Sequence, residues 1–133
     1  PTHLDRLFAE TTIRPVANQI QLSPYITRTD HVAYDRAHDI VTVSWSPLGQ
    51  GKGLLADQTL ATIAATYGKT PAQIVLRWNV ELGLVAIPRS SNPARLAQNL
   101  DIFDFALTAD EVAAISALDT GAEKRVDSDT MGH

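Results

Sequence analysis

The sequence contains no cysteine. That excludes disulfides, thiolate catalysis and cysteine-ligated zinc, and it suits a reducing cytoplasm, the compartment expected here. Basic residues are also outnumbered, with 11 lysines and arginines against 15 aspartates and glutamates and a formal charge of −4. Such a balance excludes the overall basic footprint of a nucleic-acid binder, while local cations remain able to grip a phosphate-bearing small molecule. No apolar run approaches the ~20 residues of a membrane span, so no membrane partner is expected. The chain opens Pro1-Thr2-His3 with neither an initiator Met nor a basic-then-apolar leader, and an upstream continuation is expected.

What remains is 133 residues, 44% apolar, enough for one domain with a real core. The whole chain is expected to be a single domain, with a polar tail over 121–133. Thr2 is expected to cap a first helix carrying Leu4, Leu7 and Phe8 at helical spacing, with Pro15 ending it. VANQIQL follows as a strand. A second helix is expected over 29–38, with Thr29 or Asp30 near its N-cap. IVTVSW (40–45) is the clearest strand, rich in β-branched residues. Helices over 57–67 and from Thr70-Pro71 to Gly83 come next, then an apolar strand at 84–88. Asn92-Pro93 starts a short helix, and Thr108 with Glu111 forms a capping box for the last one. Strand and helix alternate as in a parallel sheet. Three strands leave an edge and an apolar inner face bare, so the pattern points to part of a larger closed sheet. Val16, Ile20 and Val43 are expected on that bare face.

Function in such folds sits at the carboxyl ends of the strands. On the first strand Asn18 and Gln19 interrupt an apolar run; on this segment alone, outward alternation is the simpler account. Trp45 ends the second strand and, taken singly, is most simply core. The loop after it, SPLGQGKG, has glycines at 49, 51 and 53 that let a backbone wrap an anion, with Lys52 adding a mobile charge. The third strand ends in IPRSSNPARLAQN. There Arg89, Ser90, Ser91 and Asn92 precede a helix start, whose unpaired N–H groups attract anions, and Arg95 lies in its first turn. A cation at a helix start opposes the dipole, so Arg95 beside Arg89 argues for a bound anion.

Five stretches carry a resemblance: VANQIQLSPY, SWSPLGQGKGLL, YGKTPAQIVLRW, IPRSSNPARLAQN and FDFALTADEVAAI. In order and spacing they resemble the C-terminal half of an aldo-keto reductase. The resemblance implies an α/β chain made of about three βα units, the C-terminal part of a (β/α)8 TIM barrel. It implies an NADP(H) site in which Ser46, Leu48, Gly49, Gln50, Gly51 and Lys52 contact the pyrophosphate. Trp45, usually Tyr in the family, would stack on the nicotinamide, and Gln19 would hold its carboxamide. Arg89 replaces the family's Lys and, with Ser90, Ser91, Asn92 and Arg95, would bind the 2′-phosphate. Gln98 and Asn99 would face the adenine. Two cations at the ribose favour NADPH over NADH, and arginine suits bidentate phosphate contact.

A full barrel needs eight strands and roughly 250 residues. The family's Asp, Tyr, Lys and His tetrad belongs to earlier strands, and Tyr25, Tyr34 and Tyr67 do not match it. The four histidines, His3, His31, His38 and His133, are expected on the surface or in helix packing. The activity implied is reduction of aldehydes, ketones or dicarbonyls to alcohols, but the chain alone is expected to be inactive. The competing reading is a catalytically silent NADPH-binding half-barrel. A homodimer, or association with a missing barrel half, is expected to cover the open sheet.

Overall fold

The structure is a computed structural model that describes residues 1–121. Most of the tail expected over 121–133, and His133 with it, lies outside the described residues. Three strands, β1 (Ala17–Gln21), β2 (Val41–Trp45) and β3 (Val85–Ile87), form a parallel sheet in that order. Six helices accompany them: α1 (Thr2–Glu10), α2 (Thr29–Ala37), α3 (Gln58–Tyr67), α4 (Pro71–Glu81), α5 (Pro93–Leu100) and α6 (Ala109–Ser116).

Period-two alternation divides the sheet into two unlike faces. Ile20, Thr42 and Ser44 point toward the helices, where Ile20 packs on the core and Thr42 and Ser44 are buried. That core is built from Leu54, Leu60, Ile74, Trp78 and Ile115, each fully buried. The opposite face is bare: Val41, Val85 and Ile87 are exposed. The open inner face expected from the sequence is therefore present. Ile20 is a correction, since its register opposite Ser44 turns it onto the core side. Val16 is 80% exposed and Val43 half-buried.

Polar residues on the covered face are satisfied within it. Asp35, 1% exposed, accepts the Asn18 amide at 3.0 and 3.2 Å and the Thr42 hydroxyl at 2.7 Å. Asn18 thus fastens β1 to α2, and its neighbour Gln19 takes the open face. The indole N–H of Trp78 donates to Ser116 Oγ at 3.0 Å, tying α4 to α6. Gln73 completes a capping box with Thr70 and also donates to the backbone carbonyls of Gln98 and Asp101. Lys69 reaches both Asp101 and Asp104 at 2.9 Å.

The helix ends differ locally from the expectations. Thr2 is the first helical residue rather than the cap, and Pro1 in the cap position has no side-chain acceptor. α1 stops at Glu10, well short of Pro15, because Thr11, Thr12 and Ile13 are β-branched and Thr11 Oγ1 captures the Ile13 N–H. α2 is preceded by Arg28 in the left-handed region (φ 51°), and neither Thr29 nor Asp30 caps it. Among histidines, His38 stacks on Tyr34 with centroids 4.2 Å apart and lies 5.3 Å from Phe8, a helix-packing role.

Two outcomes test this packing. Trp78→Ala removes the largest fully buried side chain and should cost about 3–5 kcal/mol in urea denaturation, enough to abolish a cooperative transition in a domain of this size. Glu81 is held below the usual carboxylate range by the Arg77 guanidinium at 2.8 Å, with burial opposing and the Leu107 N–H assisting. Its ionised form therefore stabilises the fold above its ordinary pKa of about 4.3, and that contribution is lost as pH falls through the lower folded value. Glu81→Gln should lower the melting temperature at pH 7 and flatten the acid-side decline. Superimposable acid limbs would refute this account.

Candidate functional site

The parallel register sets Gln21, Trp45 and Ile87 side by side, so the loops that follow the three strands emerge on one edge. The loop after β2 is the most constrained of them. It runs through two short 3-10 turns, Gly49–Gly51 and Leu54–Ala56, where the sequence suggested only an irregular loop. Ser46 and Gln50 both adopt left-handed backbone (φ 53°), a conformation that non-glycine residues take only under constraint. The Gln50 amide donates to Ser46 Oγ at 2.7 Å, closing the turn on itself. Gly49 is obligatory twice over: its φ is +73°, and a Cβ there would lie 2.9 Å from Leu54 Cβ. Leu54, fully buried, anchors the loop to the core.

Beyond β3, Ser90 Oγ accepts the Asn92 N–H at 3.1 Å. Asn92 caps α5, its Oδ1 accepting the N–H groups of Ala94 at 2.9 Å and Arg95 at 3.3 Å. Those two N–H groups are thus occupied, a correction to the expectation of an unpaired helix start. Arg89 and Arg95 are both exposed and stand on either side of this cap.

The two loops face each other across a cavity of about 710 Å3. Ser46, Leu48, Gln50 and Gly51 line one wall, and Arg89, Ser90, Ser91 and Arg95 the other. Pro47, Leu55 and Pro88 supply apolar lining that the sequence reading did not single out. Gln19 and Trp45 line a separate cavity of about 330 Å3, together with Asn18, Ile20 and Gln21 of β1, Pro1, His3 and Leu4 at α1, and Arg28 and His31 at α2. Gly49 and Lys52 lie on the far side of the glycine loop, in a small space of about 30 Å3 shared with Gln21, Tyr25 and Ser46. Two predicted residues fall elsewhere. Asn99 lines an apolar groove with Leu96, Leu100 and Phe103, and Gln98 is exposed with its carbonyl bound to Gln73.

Electrostatics single out the large cavity. Away from it the described cations have partners: Arg6 with Glu10, Lys69 with Asp101 and Asp104, Arg77 with Glu81, Arg14 over the Phe8 ring, and Arg36 on the Leu82 carbonyl. Among the described residues, Lys52, Arg89 and Arg95 have no such partner. Two of them stand at the cavity and the third lies in the loop that walls it. No group of described residues is arranged to hold a metal ion, and no described helix is long and apolar enough to cross a membrane.

The tyrosines are committed elsewhere. Tyr25 donates to Asp57 at 2.8 Å, Tyr67 to Glu111 at 2.6 Å, and Tyr34 to Asp5. Each phenol titrates above its ordinary value, chiefly because of the carboxylate it bonds, and Tyr34 is pushed up to about 12. Tyr25 and Asp57, which brace the glycine loop, were not picked out as site residues. The one available signal was the position of Asp57 directly before a helical pattern, where an N-cap belongs.

Comparison with known proteins matches residues 2–120 to the Aldo/keto reductase family. The chain is 47% identical over 131 residues to methylglyoxal reductase DkgA of Escherichia coli K12, covering 98% of this chain and 48% of that protein. It is 46% identical over 127 residues to 2,5-diketo-D-gluconic acid reductase B of a Corynebacterium species, covering 96% and 46%. Among solved structures, a Gox0644 mutant in complex with NADPH superposes with a TM-score of 0.92 at 40% identity, over 99% of this chain and 49% of that one. An aldo-keto reductase from a Medee basin deep-sea metagenome library gives 0.94 at 32% identity, over 100% and 50%. The chain spans about half the length of the curated relatives it matches. Its three parallel βα units are part of a (β/α)8 barrel, as the sequence implied. The chain belongs to the aldo/keto reductase family.

Proposed function

We propose that the chain is the cofactor-binding part of an NADP(H)-dependent reductase of small aldehydes, ketones or dicarbonyls. The observation that carries the reading is the pairing, across one cavity of about 710 Å3, of a glycine-rich backbone with two arginines that have no acidic partner among the described residues. A dinucleotide phosphate presents two anionic centres, and this donor set offers one wall to each. Ser46, Leu48, Gly49, Gln50, Gly51 and Lys52 would hold the pyrophosphate. Arg89, Ser90, Ser91 and Arg95 would take the 2′-phosphate, with Asn92 fixing the helix from which Arg95 projects. Gln19 and Trp45, which line a separate cavity with Trp45 directly before the glycine loop, would receive the nicotinamide, and Gln98 and Asn99 the adenine side. A relative's structure carries NADPH, and two relatives are named as reductases of dicarbonyl-type compounds.

When bound, the cofactor supplies hydride to a carbonyl carbon, and the carbonyl oxygen must then take a proton. Each described tyrosine already bonds a carboxylate and is a weak acid there. That favours the silent reading for the 133-residue chain alone: it binds the nucleotide without turning it over. The exposed inner face, with Val41, Val85 and Ile87, supports cover by further barrel strands that would complete the catalytic site.

Titration calorimetry decides the matter. NADPH should bind, and NADH about tenfold or more weaker, the value of a charge-assisted phosphate contact. Arg89→Ala and Arg95→Ala should each weaken NADPH by a similar factor while leaving NADH nearly unchanged. Equal losses for both nucleotides would remove the 2′-phosphate assignment, and absence of heat with NADPH would sink the cofactor reading. In parallel, absorbance at the nicotinamide band with methylglyoxal as substrate should show no consumption above background by the chain alone.

A further inference from the structure

We infer that Tyr25 is a positioning residue through which the segment at Asp119–Thr120 holds the glycine loop in shape, an inference that rests on reading that loop as the pyrophosphate clamp. The loop does not hold itself. Ser46 and Gln50 are left-handed without being glycine, so relaxation of the loop is favoured unless neighbours fix it. Its entry is fixed by β2 and its middle by buried Leu54. The exit is fixed by Asp57, which uses its two carboxylate oxygens for different tasks. Oδ1 accepts the Thr59 N–H at 2.9 Å and caps α3, while Oδ2 accepts the Tyr25 hydroxyl at 2.8 Å. Burial opposes ionisation of Asp57, but the Tyr25 and Thr59 bonds outweigh it. The bond is therefore one between a neutral phenol and a carboxylate, stronger than a neutral pair.

Tyr25 is itself held from the other end of the chain. Ser23 and Ile26 exchange backbone hydrogen bonds at 3.0 and 2.8 Å, which folds the segment carrying Tyr25 into a tight turn. The Tyr25 carbonyl accepts both the N–H and the hydroxyl of Thr120 at 3.0 Å. Asp119 accepts the N–H of Thr27 at 3.3 Å and its hydroxyl as well. A continuous line of bonds thus runs from Asp119–Thr120 through the 23–27 turn to Asp57 and the loop. Tyr25 also lines the same small space as Ser46, Gly49, Gln50 and Lys52, so a shift of the turn is felt directly by the loop. The consequence is coupling: movement of the chain's C-terminal segment alters how well the loop fits a phosphate.

Hydrogen exchange on the ligand-free 133-residue chain, paired with NADPH titration, tests this. Tyr25→Phe removes only the hydroxyl and should speed exchange of amides 49–57 by about fivefold, the loss of one hydrogen bond. Amides of α4 should be unchanged, and the NADPH dissociation constant should rise by a similar factor. Asp57→Asn leaves one acceptor oxygen where two are used and removes the charge, so it should speed the same amides at least as much as Tyr25→Phe. Asp119→Ala, remote from the loop, should speed the same amides. Unchanged loop exchange in Tyr25→Phe or in Asp119→Ala would overturn the coupling. So would a rise spread evenly over the whole chain, which is the mark of a plain stability residue. If the wild-type chain fails to bind NADPH, the cofactor reading falls, while the exchange data still judge the coupling.

Discussion

Parallel pairing of β2 with both of its neighbours is the constraint on which the rest of the molecule depends. Because all three strands run the same way, every connection must cross over, and the covered face belongs to the crossover helices. Because they share a register, their carboxyl ends lie level at Gln21, Trp45 and Ile87. The turn bearing Tyr25, the glycine loop and the arginine-bearing segment therefore meet on one edge without any one of them reaching for the others. The same alternation that buries Thr42 and Ser44 and packs half-buried Ile20 against the core turns Gln19 and Trp45 to the other side of the sheet.

Charge is distributed according to what each region must do. On the helical side, the cations named above are matched to acids, a ring face or a backbone carbonyl, and the buried carboxylate of Asp35 accepts from Asn18 and Thr42. At the strand ends the matching stops. Among the described residues Lys52, Arg89 and Arg95 have no acidic partner, which costs little while they are solvated, since an exposed ion pair is worth only about 0–1 kcal/mol. On the proposed reading a multiply charged ligand would engage Arg89 and Arg95 together, in a cavity partly emptied of water, where each contact would be worth more.

Much of this was legible in the sequence, for identifiable reasons. IVTVSW and the two capping sequences, at Thr70 and Thr108, are strong local signals, and the elements they specify lie within a residue or so of expectation. The three parallel units followed from the order of those elements. What local rules missed was set by distance along the chain. Ile20 lies on the core side because of its register opposite Ser44, which no window around residue 20 contains. The Tyr25–Asp57 bond joins residues 32 apart, and the Asp119 contacts join residues 92 apart. Gln98 and Asn99 are expected at the adenine by motif order alone; in the fold Gln98 is exposed and Asn99 lines an apolar groove with Leu96 and Phe103.

The start of α5 illustrates how a structure refines an electrostatic argument. From sequence, unpaired N–H groups at a helix start and a nearby arginine both pointed to an anion. In the folded chain Asn92 takes two of those N–H groups for itself, so the helix start is already served before any ligand arrives. The attraction then lies mainly with the guanidinium groups of Arg89 and Arg95, charges that a short, capped helix cannot neutralise. That shifts discrimination onto side chains. A macrodipole acts on any negative charge within about one turn, whereas two planar, fork-shaped donors reward a phosphate oriented to receive them. If this site takes a phosphate as proposed, Asn92 would contribute to selectivity by the same act that stabilises the helix, quieting the unspecific attractor and leaving the geometric one.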